Sequence, residues 1–363
     1  MRGVFRKVAL VLGLLVAVAV AAEGLAGFVR MTIRIVSTRA VAEQYSCDYD
    51  EQLGWVSKPG FSDDDFFGPG RSLNTNRQGF RNRAEILKTV PDGRVRVLCS
   101  GDSFTLGYGV RDDATWCARL ESIEPRIESV NIGQGGYGID QSYLRSKQVR
   151  AAIDTDVQIL AFNCFGFELM RVSNMQGYGK PMLGMDGDRL ITLNQPVPRS
   201  LPLSPNLSRA LMGIHELNLV SLMKDLVGHR ADERMGVMDQ DTLLKVVEAT
   251  FNDVDKDMKS AGGLFVLVKM PVPADLDASC PLWTDVVEMA ARNGWHLIDI
   301  PVSGWPANGM DTQLYLDGND FRFRGAGGHL NEDGNNLVAR IVIDGLMKMP
   351  EFVSIIEGGQ PLQ

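Results

Sequence analysis

From Val95 onward, short apolar runs alternate with longer amphipathic stretches, and no other pattern in the chain restricts its fold so tightly. Val95–Cys99, Ile127–Asn131, Val157–Asn163, Leu264–Met270 and Trp295–Ile300 have the length and apolar character of strands. Between them Ala114–Ile123, Asp140–Ala152, Thr242–Ala261 and Leu282–Asn293 read as helices, with a last one at Glu332–Met347. Strand and helix in alternation mark βαβ units. The expectation is an α/β domain over residues 95–350, a five-stranded, largely parallel sheet covered by helices on both faces.

The rhythm breaks at Val172–Gln240, where clusters such as Gly179-Lys180-Pro181-Met182 and Pro196-Val197-Pro198 mark an insertion. It follows the third strand and so leaves from the carboxyl edge, where open α/β sheets bind ligands. It either shapes a substrate cleft or decorates the surface. Residues 351–363 read as a tail. Upstream, residues 32–94 are polar and rich in Gly and Pro, a spacer and lead-in that packs on the main domain.

Within residues 1–31, Val8–Val29 is apolar apart from Glu23 and is preceded by Arg2, Arg6 and Lys7. As a helix this stretch is long enough for a hydrocarbon core of ~30 Å. It reads as a transmembrane signal anchor that leaves the rest of the chain outside the cytoplasm. Ala19-Val20-Ala21 also has the small-x-small form of a cleavage site, so a removed signal peptide is the alternative. Both readings export the domain. Arg30, Arg34 and Arg39 balance the basic residues on the other side, so charge barely sets the orientation.

A net charge of -8, with both signs interspersed, gives no basic footprint for a polyanion, and nucleic acid is not an expected partner. Five cysteines without C-x-x-C spacing supply no zinc or redox motif, and no motif for an organic cofactor is present. Cys99 and Cys164 fall in apolar runs and read as buried thiols. A disulfide from Cys47 to Cys117 or Cys280 is open outside the cytoplasm.

The first strand runs directly into Ser100-Gly101-Asp102-Ser103-Phe104-Thr105 and then toward a helix. That puts Ser103 on a tight turn at a carboxyl end, where a serine can meet both a base and backbone N–H donors. The run from Gly101 to Val110 resembles the first block of the GDSL/SGNH hydrolases. Val130-Asn131-Ile132-Gly133-Gln134-Gly135-Gly136-Tyr137-Gly138 resembles their second block, with Gly136 at the matching glycine. Gly327-Gly328-His329-Leu330-Asn331-Glu332-Asp333-Gly334 resembles the last. Gly54-Trp55 with Lys58-Pro59, and Thr75-Asn76-Arg77-Gln78-Gly79-Phe80-Arg81, look like the lead-in of the membrane-anchored bacterial members. The resemblance implies a flavodoxin-like fold, Ser103 as nucleophile and His329 as base. It also implies an oxyanion hole built from the N–H groups of Ser103 and Gly136. His215, His229 and His296 are weaker candidates for the base. Gly133, Gly135 and Gly138 also spell G-x-G-x-x-G, but after the second strand, whereas a dinucleotide fingerprint opens the first βαβ unit.

Two positions depart from the pattern. The third block normally carries an asparagine of the oxyanion hole, and here Phe167 holds the most natural matching position. Asn163 substitutes only if the strand ends early. An acidic residue normally precedes the histidine by two or three positions, but those are Ala326 and Gly327. Asp320 and Asp317 are the nearest upstream carboxylates; otherwise a backbone carbonyl orients His329 and leaves a Ser-His dyad. The resemblance implies acyl transfer from an acylated glycan or lipid ester, to water as an esterase or to a sugar hydroxyl as an O-acyltransferase. The two departures keep open a binding or scaffold protein of the cell envelope.

Overall fold

Val95–Ser100, Val157–Phe162 and Leu264–Lys269 are buried at every position, which makes them the middle of a sheet with both faces covered. Burial on both sides explains why the sequence shows continuous apolar runs there and no two-residue alternation. The computed structural model describes residues 45–175, 178–197, 238–270, 282–300 and 328–358, with seven isolated positions between Lys7 and Gly24. The chain divides into two units, Met1–Tyr45 with Ser200–Val237, and Ser46–Arg199 with Met238–Gln363. The first falls almost wholly outside the described residues, and so does the expected membrane span. Among the described residues no helix is long and apolar enough to cross a membrane.

In the second unit the lead-in forms two antiparallel hairpins, β1 (Cys47–Asp50) with β2 (Gly54–Ser57) and β3 (Ser62–Asp63) with β4 (Leu73–Asn74). The main run follows as β5 (Val95–Ser100), α1 (Ser103–Leu106), α2 (Trp116–Ile123), β6 (Ile127–Asn131), α3 (Ile139–Arg150), β7 (Val157–Phe162) and α4 (Phe165–Met170). Two small antiparallel pairs come next, β8 (Asn174–Met175) with β9 (Tyr178–Gly179) and β10 (Met182–Asp186) with β11 (Arg189–Leu193). The chain then gives α5 (Gln240–Ser260), β12 (Leu264–Lys269), α6 (Trp283–Asn293), β13 (His296–Asp299), α7 (Glu332–Leu346) and α8 (Pro350–Ile356).

The main sheet is parallel throughout, in the order β13-β12-β7-β5-β6. Numbered by their own sequence, its strands run 2-1-3-4-5, the flavodoxin-like order. Alternate side chains feed different layers. Val97, Cys99, Ile159 and Val266 pack with Trp116, Val338, Val342 and Phe352 from α2, α7 and α8. Leu160, Phe265 and Leu267 pack on the other face with Phe251 and Val254 of α5 and Val286 of α6. Three layers result, as expected. Helix α5 shows the local logic: Asp239 caps it by accepting from Thr242 N at 2.8 Å, and its buried residues Leu243, Val246, Val247, Thr250, Phe251, Val254 and Met258 recur at helical spacing. Burying each large apolar side chain in that stripe contributes about 1.5–3 kcal/mol.

The structure moves the tail boundary and the reading of the cysteines. Residues 350–356 belong to the domain, because α8 buries Phe352 and Ile356 in the layer beneath α7; the expected tail is shorter. Cys99 is no buried thiol: it forms a disulfide with Cys117, bridging β5 and α2, which rules out Cys47 as the partner of Cys117. Cys164 is disulfide-bonded as well. Within the expected insertion, β10 contributes Leu183 to the core against α5, and residues 198–237 lie outside the described residues.

Candidate active site

The chain leaves β5 toward β6 on one side and leaves β7 toward β12 on the other, so the order reverses between β5 and β7. A crevice at the carboxyl ends of such a pair is where open sheets bind ligands. Ser103 sits there as the first residue of α1. Gly101 is needed because a Cβ would run into Thr105 Oγ1 and stand 2.6 Å from Ala161 O. Asp102 caps α1 by accepting from Phe104 N at 2.9 Å.

Ser103 Oγ lies 2.7 Å from His329 Nε2, across 226 positions of sequence. His329 stands just ahead of α7, whose N-cap Asn331 accepts from Gly334 N at 2.9 Å. Asn335, one turn into α7, receives Trp116 N at 2.9 Å and donates to Leu330 O at 3.1 Å, fixing the histidine loop against α2. The imidazole packs on two rings from the nucleophile segment, Phe104 at 4.6 Å and Tyr108 at 5.2 Å between centroids.

The second glycine block is bound tightly to the nucleophile turn. Gln134 N donates to Gly101 O at 3.0 Å, and Asn131 Nδ2 donates to Thr105 O at 2.8 Å. Gly133 and Gly135 serve this packing: a Cβ at Gly133 would run into Leu106 N, and one at Gly135 into the Tyr108 hydroxyl. Those two glycines are thus required by close packing against the nucleophile segment. Gly136 adopts φ +76, in the left-handed region that glycine tolerates best. Among the described residues, the N–H groups of Ser103 and Gly136 donate to no partner.

The third block differs from the expected form. Helix α4 begins at Phe165, which turns Phe167 into the core at 1% exposure and leaves Phe165 59% exposed. Phe167 therefore does not face the crevice. Asn163 does follow an early strand end, as its candidacy required, but its Nδ2 donates to Asp102 Oδ2 at 2.6 Å. Burial pushes the Asp102 carboxyl up from 3.8 to about 6, against the pull of the Phe104 N–H and the Asn163 amide. Asp320 and Asp317 lie outside the described residues. The structure thus joins Ser103 to His329 and sets the Gly136 loop beside them. Sequence reasoning passed over Asp102, Asn131, Phe104 and Tyr108 as site residues, although all four lie inside the two quoted blocks. Among the described residues no cluster of His, Cys, Asp and Glu is suited to a metal ion.

No family model and no curated protein matches the chain. Solved structures do resemble it. One is a member of the lipolytic G-D-S-L family from Veillonella parvula, 12% identical, covering 70% of this chain and 100% of that one with a TM-score of 0.40. A second is the psychrotrophic esterase EstA from a Pseudoalteromonas species, 12% identical, covering 70% and 97%, TM-score 0.39. A third is a lipase/acylhydrolase from Enterococcus faecalis, 12% identical, covering 74% and 99%, TM-score 0.37. Likeness at this level carries no chemistry, which has to be read from the site itself.

Proposed function

We propose that the chain is a serine-dependent ester hydrolase of the GDSL/SGNH type. The observation that carries this reading is the 2.7 Å contact between Ser103 Oγ and His329 Nε2 at the switch point of the sheet. With Nε2 unprotonated, His329 takes the Ser103 proton as Oγ attacks the ester carbonyl. The N–H groups of Ser103 and Gly136 receive the oxyanion, and Asn163 keeps a second Nδ2 hydrogen for it beside the one given to Asp102. Collapse of the tetrahedral intermediate breaks the bond to the alcohol, which leaves with the proton from His329 and gives a Ser103 acyl-enzyme. Water, activated by the same histidine, then releases the acid. A sugar hydroxyl in place of water makes the same site an O-acyltransferase. Asp320 is the proposed carboxylate for the other imidazole nitrogen.

The substrate class we infer is an acylated glycan or lipid ester outside the cytoplasm. Support comes from the Cys99–Cys117 disulfide, since such bonds persist in oxidising compartments, and from the apolar stretch Val8–Val29 as an anchor or signal peptide. One observation favours a second reading, an envelope binding or scaffold protein without turnover: Phe167, at the most natural match to the family's oxyanion-hole asparagine, is buried in the core.

A fluorophosphonate probe separates the two. The enzyme reading expects labelling of the wild type, none in Ser103→Ala, and labelling at least a hundredfold slower in His329→Ala. Labelling that persists in Ser103→Ala overturns the nucleophile. An unlabelled but folded wild type overturns the enzyme reading in favour of the binding one.

A further inference from the structure

We infer that Trp55, in the lead-in, is a positioning residue for the anion-stabilising N–H of Gly136; this rests on the ester-hydrolase reading above. The indole Nε1 donates to Gly135 O at 2.9 Å. Gly135 C=O and Gly136 N–H belong to one peptide plane, and in a trans peptide they point in opposite directions. Gripping the carbonyl therefore sets the direction of the N–H, which donates to no described residue. A donor on the carbonyl oxygen also polarises the amide and strengthens its N–H.

The indole is itself held. Trp55 is buried; its ring meets Tyr137 edge-on at 5.5 Å and Tyr178 at 6.1 Å. The Tyr137 hydroxyl donates to the Trp55 carbonyl. Along the edge that carries Nε1 the ring also abuts Gly136, where a Cβ would lie 3.4 Å from Trp55 Cζ2. Gly54 lets β2 approach β9, which carries Tyr178, because a Cβ there would strike Gly179 O. The lead-in thus completes the site.

The test is Trp55→Phe in the full chain, which keeps a ring and deletes the N–H donor. With p-nitrophenyl acetate, kcat is expected to fall about tenfold or more while KM stays within twofold, because losing an oxyanion donor outright costs roughly a hundredfold or more. Affinity for a boronic acid, which mimics the tetrahedral oxyanion, is expected to fall by the same factor as kcat. Should Trp55→Phe not fold, β-(3-benzothienyl)alanine placed at position 55 deletes the same N–H within an unchanged shape. An unchanged kcat, or a raised KM alone, overturns the positioning role while leaving the hydrolase reading intact. Turnover that survives Ser103→Ala overturns the hydrolase reading, and this inference with it.

Discussion

Asn163 Nδ2 donates to Asp102 Oδ2 at 2.6 Å, tying the carboxyl end of β7 to the turn that carries the nucleophile. The bond spans the switch point, so the two walls of the crevice are held by one carboxylate next to Ser103. Its strength depends on whether that carboxylate is charged.

With its pKa raised from 3.8 to about 6, Asp102 is expected to titrate close to neutrality. Carbon-13 labelled aspartate should show one carboxyl midpoint near 6. Because the Asn163 hydrogen bond favours the charged form, Asn163→Ala should raise that midpoint further. The sign for stability follows: a carboxyl raised on folding contributes most below pH 3.8, and the contribution is lost as the pH climbs through about 6. A midpoint near 3.8 would show that Asp102 is solvated and that the link across the crevice is weak.

Arg81 spends all five guanidinium N–H groups. It donates to Asp112 Oδ1 at 2.8 Å, to Leu106 O and Gly107 O at 2.6 Å, and to Ser72 O and Val110 O at 2.7 Å. Two of those carbonyls close α1, so the lead-in braces the nucleophile helix from behind. Lysine offers three donors from a single point and cannot span the set. Arg81→Lys is expected to lower stability by about 3–5 kcal/mol, read from the urea midpoint, and to slow fluorophosphonate labelling. A midpoint within experimental error of the wild type would sink this role.

The sheet was legible because its strands are buried on both faces, which forces unbroken apolar runs; each expected strand and helix lies within about two residues of its observed position. Ser103 and His329 were legible because each sits in a short stretch dense with glycine. Arg81 and Lys180 were not, since a lone basic residue in a polar segment looks solvated, and its burial depends on contacts that sequence spacing does not encode. Trp55 stood out only as part of a lead-in, and its partner Gly135 is 80 positions away. Counting along the chain puts Phe167 at the third-block position but cannot tell that α4 starts at Phe165 and buries the later ring. The disulfide joins Cys99, which read as a buried thiol, to Cys117, which read as an open partner for Cys47, and the meeting of β5 with α2 that pairs them is not encoded in spacing.

Lys180 and Asp140 form an ion pair with both side chains fully buried. Lys180 Nζ also donates to Leu169 O at 3.0 Å, Pro181 O at 2.9 Å and Val172 O at 3.2 Å. The pair fastens the segment leading into β10 to the start of α3. Removing one partner leaves a buried charge alone, so Lys180→Met is expected to cost about 3–5 kcal/mol. Lys180→Met combined with Asp140→Leu should recover much of that loss, because neither charge then has to be desolvated. Urea titrations of the two single variants and the double variant give the coupling. Simple additivity would show that the pair does not act as a unit.

The Cys99–Cys117 disulfide supplies the last expectation, and it bears on where the protein works. It closes a loop of 18 positions between β5 and α2, and restricting the unfolded chain over that span is worth about 3 kcal/mol. Cys99→Ala with Cys117→Ala should therefore lower the unfolding free energy, read from urea titration, by that amount or more, the excess reflecting the cavity left beside Trp116 and Leu120. Reductant added to the native protein should act slowly, because both sulfurs belong to fully buried residues and exchange requires a thiolate to reach one of them. Reductant present during refolding should act in full. Ser103 lies only a few residues beyond Cys99, so labelling by the fluorophosphonate should fall along with stability in protein refolded under reducing conditions. Equal midpoints for oxidised and reduced refolded protein would remove the bond from the stability of the domain and, with it, the support it gives to an oxidising compartment.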